Sequence, residues 1–165
     1  MPERMAPILV LGLGNDILTD DAVGLHVAQA VREQLAGDAR IEVKSTTEMG
    51  LALLDEIADR DAVVLVDSVQ TGREPPGHIH EIDAAGLASL TSTVPHMLGV
   101  GETLALGKLL GLAMPRQVRV FAIEVADPFR LGTEMTAAVS AAVTQAADKI
   151  ATAARELAGV VAPAG

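Results

Sequence analysis

The chain has 165 residues, 50% of them apolar and 21% charged, the balance of one folded globular domain and not of a disordered segment. Its formal charge of −10 argues against nucleic acid, which is bound largely by Lys and Arg neutralising phosphates, and against an anionic membrane surface. With no cysteine, no Trp, no Tyr and 2 Phe, disulfides, thiol catalysis and Cys-built metal sites are excluded, so any metal chemistry must use carboxylates and imidazoles.

Elements alternate along the chain. Pro7 to Leu13 is a short apolar run ending in Gly14 and reads as a strand buried on both faces. It is too short to span a membrane, which takes about 20 residues, and it lacks the layout of a secretory signal; a cytoplasmic protein is expected. Asp21 to Leu35 reads as a helix, with Val23, Val27, Ala30, Val31 and Gln34 at helical spacing and Gly37 as a stop. Ile41 to Thr46 is a second strand. Leu51 to Ala58 is a second helix with Leu51, Leu54, Ile57 and Ala58 on one stripe. Ala62 to Val66 is the clearest buried strand and runs directly into Asp67.

After a turn at Glu74–Gly77, the alternation from His78 to Ile82 predicts a half-exposed edge strand. Residues 84–95 look irregular. Met97 to Leu112 fits a helix despite Gly99, Gly101, Gly107 and Gly111, and Gln117 to Val125 is a strong strand. Thr133 to Leu157 is a long Ala-rich helix. The alternation predicts a single domain over residues 1–165, with an ordered core from about 7 to 158. Its architecture is a three-layer α/β/α fold, with a mostly parallel twisted sheet of about five strands. In such sheets ligands bind beyond the carboxyl ends of the strands, which directs attention to Gly14–Asp21 and Asp67–Gln70.

Gly12-Leu13-Gly14 after a first strand invites a dinucleotide-binding reading, but Ile17 stands where the third glycine belongs. Asp16, Asp20, Asp21 and Asp67 would meet the pyrophosphate with no basic residue nearby to offset them. Two unit charges about 5 Å apart repel by roughly 3 kcal/mol at an effective dielectric near 20. A helix N-terminus returns only about 0.3–1 kcal/mol, so repulsion wins. Thr19, Asp20 and Asp21 at the helix mouth can be plain caps. Successive helical positions point about 100° apart, however, so one acid can cap while the other faces the strand ends. Two carboxylates sharing that space with Asp67 need a proton or a cation.

Asp67 has its own bland role, bonding loop amides. His96 follows Pro95, which can aim an imidazole at the sheet edge, although a lone His is commonly structural. His78 and His80 share one strand face and can chelate, but no matching carboxylate stands near them in sequence; His26 lies inside the first helix and reads as structural. There is no Gly-x-Ser-x-Gly elbow and no His-Glu-x-x-His motif.

The order of these features is more specific than any one of them. ILVLGLGNDILTDDAVGLHVAQAV closely resembles the N-terminal signature of the nickel–iron hydrogenase maturation proteases. ADRDAVVLVDSVQTGREPPGHIHEID is similar to that family's third strand ending in Asp with its Pro-Gly turn, and STVPHMLGVGETLALGKLLG to its histidine-bearing helix start. The likeness spans roughly residues 7–135. It implies an endopeptidase, often classed as aspartic-type, that removes a C-terminal extension from a hydrogenase large-subunit precursor once nickel is inserted. By the same resemblance Asp21, Asp67 and His96 are the metal ligands, and Asp21 and Asp67 the catalytic candidates, with the general base left open. The nickel is carried by the substrate, no permanently bound metal is expected, and a monomer is implied.

One departure is the loop Ser45-Thr46-Thr47-Glu48-Met49-Gly50, where family members often carry an Asp-Gly-Gly-Thr-like sequence; Glu48 can partly stand in for the missing acid. Two oxygens and one imidazole suit a divalent first-row ion with open positions, which polarises a carbonyl or acidifies a bound water. The rival readings are a peptidyl-tRNA hydrolase-like enzyme, disfavoured by the negative charge, and a non-catalytic metal- or nucleotide-binding module.

Overall fold

The computed structural model describes residues 5–14, 22–47, 51–83, 95–126 and 135–160, with the backbone alone considered at 51, 95–100 and 160. Its strands are β1 (Ile8–Leu13), β2 (Ile41–Thr46), β3 (Ala62–Val69), β4 (Ile79–Asp83) and β5 (Gln117–Glu124), and its helices α1 (Val23–Gln34), α2 (Leu51–Ile57), α3 (Pro95–Leu109) and α4 (Ala137–Val160). The strands form one sheet in the order β2-β1-β3-β5-β4. All pairs are parallel except β4 on β5, so the carboxyl ends of β1, β2, β3 and β5 share one edge.

The side-chain period of two divides the interior into two cores. Ile8, Val10, Val64, Val66, Phe121 and Ile123 face α1 and α4, and Leu9, Leu11, Leu65, Val120 and Ala122 face α2 and α3. This is the three-layer α/β/α arrangement that the alternation implied. The α1 stripe consists of Val23, Gly24, Val27, Ala28 and Val31. Gln34 is not part of it: it is exposed and donates to Asp148 of α4 at 2.9 Å. On α2 the inward residues are Leu53, Leu54 and Ile57.

Several boundaries move for local reasons. Helix α3 begins at Pro95 because proline is favoured in a first turn, where its missing N–H costs nothing. It stops earlier than the apolar run suggests. Gly111, at φ +73°, closes a Schellman motif in which Leu112 N bonds Gly107 O at 3.0 Å and Gly111 N bonds Lys108 O at 3.1 Å. Helix α4 begins after Thr136, whose carbonyl accepts the Ser140 amide at 2.9 Å. Strand β3 runs past Val66 to Val69, because β5 continues to pair with it through Val69↔Glu124. The edge strand β4 is half-exposed as expected. The irregular stretch expected at 84–95 lies outside the described residues up to 94.

Candidate active site at the carboxyl edge

Gly12, the first glycine of the Gly-x-Gly, lies inside β1 and serves close packing. A methyl group on Gly12 would fall inside contact distance of the Gly24 carbonyl oxygen and 2.7 Å from Ala28 Cβ. One on Gly24 would collide with the Leu13 carbonyl oxygen and lie 2.8 Å from that of Val66. The two glycines let α1 lie directly on the ends of β1 and β3. Ala22 occupies the N-cap position of α1 and has no side-chain acceptor to offer the first-turn amides. Asp21, immediately before it in sequence, lies outside the described residues, as do Thr19 and Asp20.

Asp67 is 2% exposed. It sits one position beyond the last β1–β3 pair, Gly12↔Val66, yet still opposite Ala122 of β5. It is therefore inside β3 and not after it, at the level where pairing with β1 has stopped and pairing with β5 continues. Its alternation matches Leu65 and Val69, which places its side chain on the face covered by α2 and α3. Its Oδ1 accepts the Ser68 amide at 2.8 Å.

Helix α3 packs on that same face through Leu104, and Gly107 lies against Leu54 of α2. Its far end is at the opposite edge, where the Ala113 carbonyl accepts the Asp59 amide at 2.8 Å just before β3 begins. The start of α3, with His96 as its second residue, is thus directed towards the edge that holds Asp67. His96 lies within the first turn of the helix and not ahead of it. Glu48 lies outside the described residues. His26 is on the exposed side of α1, so it plugs no core.

The residue that reading the sequence missed is Glu124. It is 1% exposed, on the Asp67 face, at the end of β5. Its Oε2 accepts the Thr71 amide at 2.7 Å and its Oε1 takes the Thr71 hydroxyl and, at 3.1 Å, His80 Nε2. Burial alone would raise its pKa, but hydrogen bonds from the Thr71 hydroxyl and amide, from His80 and from the Gly72 amide together hold it below the ordinary carboxylate value. This is the carboxylate that seemed absent near His80. It comes from another strand, a partner that no spacing rule reveals. His78 packs edge-on against His80, with ring centroids 4.7 Å apart, and its Nδ1 lies 3.8 Å from Glu74. Among the described residues, no group of three or more His, Asp or Glu is placed to hold a metal ion.

The hydrogenase maturation protease family model matches residues 18–153. The chain belongs to that family. It is 27% identical over 151 residues to the hydrogenase 2 maturation protease of Escherichia coli, covering 90% of this chain and 91% of that one. The solved structure of the hydrogenase maturating endopeptidase HybD from E. coli superposes with a TM-score of 0.75 at 27% identity, over 90% of this chain and 92% of that chain. A [NiFe] hydrogenase maturation protease from Thermococcus kodakarensis shares the fold, with a TM-score of 0.70 at 21% identity over 89% and 98% of the two chains. Membership makes the chain a peptide-bond hydrolase of hydrogenase processing, and favours neither the peptidyl-tRNA hydrolase nor the binding-module reading. Among the described residues, no helix is long and apolar enough to cross a membrane.

Proposed function

We propose that this protease removes the C-terminal extension of a nickel–iron hydrogenase large-subunit precursor after nickel insertion, and that Asp21, Asp67 and His96 face the nickel that the substrate carries. The observation that carries the reading is the position of Asp67. It is a buried carboxylate at the carboxyl edge of a parallel sheet, on the face towards which the His96 end of α3 is directed, in a chain whose family match includes all three residues.

The chemistry follows from the donor set. Two carboxylates brought together repel, and a divalent ion arriving with the substrate relieves that repulsion. Binding then depends on metal being present, which is the property a checkpoint on nickel insertion needs. Oxygen and imidazole donors with open positions suit nickel. An ion so held polarises a carbonyl or lowers the pKa of a bound water, with Asp21 and Asp67 as the candidates for proton transfer. The protein holds no nickel of its own between turnovers, binds neither nucleic acid nor membrane, and works in the cytoplasm as a monomer.

The test is incubation with a nickel-loaded large-subunit precursor and with its nickel-free form, read by intact mass. The expected result is loss of a C-terminal peptide from the loaded form alone, with His96→Ala, Asp21→Ala and Asp67→Ala each lowering the rate at least 100-fold, on the order expected when a group acting in the transition state is removed. Equal cleavage of both forms, or cleavage indifferent to these substitutions, would overturn the reading.

A further inference from the structure

Glu124 is buried and charged, stands beside the Asp67 level, and has no part in the chemistry above. Its bonds all go to one place. Its side chain holds Thr71 and His80, its carbonyl accepts the Gly77 amide at 2.8 Å, and its own amide donates to the His78 carbonyl at 2.8 Å. The connection from β3 to β4 is therefore fastened at both ends to this single residue. Two neighbouring bonds complete the base: Val125 N to Val69 O at 2.8 Å, and Gln70 Nε2 to Ala126 O at 2.6 Å. On the return side Gly77, at φ +93°, passes so close to α4 that a methyl group there would lie 2.6 Å from the Ala138 carbonyl oxygen.

Between these fixed ends stand Gly72, Arg73, Glu74, Pro75 and Pro76, all exposed. An exposed tip on a buried ionic base is an unusual use of a carboxylate. Burying a charge is costly unless hydrogen bonds offset it, and a loop that merely joined two strands would not require one. The two prolines stiffen the tip further. The whole structure rises from the strand that carries Asp67, at the edge where a polypeptide substrate must lie.

We propose that residues 72–76 form a preorganised docking loop for the folded body of the precursor, and that Glu124 is the positioning residue that holds it in shape. The occupant is a protein and not a small molecule, because the feature is a convex projection beside the site and not a cavity. Arg73 offers a planar donor fork suited to carboxylates or carbonyl oxygens of the partner. The inference rests on the reading of the substrate given above. A rigid loop contributes to affinity by removing an ordering cost at binding, so its loss is felt in KM and not in the chemical step.

The experiment compares Thr71→Val, Glu124→Ala, Arg73→Ala and Asp67→Ala with the unaltered chain on the nickel-loaded precursor. Amide hydrogen exchange over residues 70–80 is followed in parallel. Thr71→Val keeps the side-chain volume and removes only the hydroxyl, which donates to Glu124 and accepts the Arg73 amide at 3.1 Å, so it serves if Glu124→Ala fails to fold. Faster exchange over 71–78 is expected in Thr71→Val, with KM raised about fivefold to tenfold, the size of one hydrogen bond of ordinary net strength, and kcat within twofold. Arg73→Ala should raise KM with exchange unchanged. Unchanged KM in a variant whose loop exchanges faster, unchanged exchange in Thr71→Val, or a fall in kcat with KM constant would each overturn the proposal. Failure of the catalytic reading shows separately, as an Asp67→Ala variant that still cleaves.

Discussion

A carboxylate can be buried in two ways, and this protein uses both near the carboxyl edge of its sheet. Asp67 accepts the amide of Ser68 on its own strand and is the carboxylate proposed to meet the nickel of the substrate. Glu124 is surrounded by donors from Thr71, Gly72 and His80, which commits it to structure. The pH dependence of stability follows from the second. A carboxyl group whose folded pKa lies below its unfolded value, about 4.3 for Glu, stabilises the fold above that value. The contribution is lost as pH falls through the folded pKa. In urea titrations at pH 7 and again near pH 3, the midpoint of the unaltered chain should fall more than that of Glu124→Gln. A gap between the two that is constant across this range would show that the Glu124 charge is not linked to folding.

The same contrast appears between whole elements where α1 crosses β1. Helix and strand approach closely only because Gly12 and Gly24 lack side chains. Gly24→Ala should raise intrinsic helix propensity yet destabilise the protein, because its methyl meets backbone carbonyls of Leu13 and Val66 that cannot rotate away. Overpacking of this kind costs typically about 1–3 kcal/mol, against the roughly 1 kcal/mol that Ala gains over Gly in a helix. Chemical denaturation measures the balance, and a stabilised Gly24→Ala would refute the close-approach account.

The two glycines also show what a sequence makes legible. Gly12 and Gly14 were visible as a motif, and the acids around them excluded a phosphate ligand. The reason for Gly12 needed a partner twelve positions away on a helix. Likewise β1 and β3 were readable because strands buried on both faces are continuous apolar runs, and β4 because a half-exposed edge strand alternates. The end of β3 was not, because Asp67 and Ser68 look like a stop until Ala122 and Ile123 are seen pairing opposite them. Glu124 sat inside a strong strand pattern with nothing local to mark it; Thr71 reaches it through the parallel pairing of β3 on β5, and His80 through the reversed direction of β4. Asp67 and His96 were singled out on spacing and resemblance; the fold places Asp67 inside β3 on the face covered by α2 and α3, and His96 in the first turn of α3.

At the scale of the whole molecule, the two cores share every buried strand, so neither can dissolve while the other persists. Unfolding should be a single two-state transition, with the calorimetric enthalpy equal to the van't Hoff enthalpy. With 2 Phe and no Trp or Tyr in 165 residues, far-UV circular dichroism and calorimetry are the suitable probes. A biphasic transition would mean that α2 and α3 form a separate unit over their face of the sheet.

The placement of α4 bears on when the enzyme becomes active during its own synthesis. Val64, Val66, Phe121 and Ile123 on β3 and β5 share one apolar cluster with Val139, Ala146, Ile150 and Leu157 of α4. A chain that ends just beyond Glu124 holds all three proposed ligands, but it still shows that bare apolar surface and lacks the Ala138 carbonyl against which Gly77 is seated. The ribosome must deliver residues 137–160 before the sheet can close. Helix α4 is therefore the cover of that face: a chain without residues 137–160 leaves the apolar side of β3 and β5 bare and the β3–β4 connection without its seat.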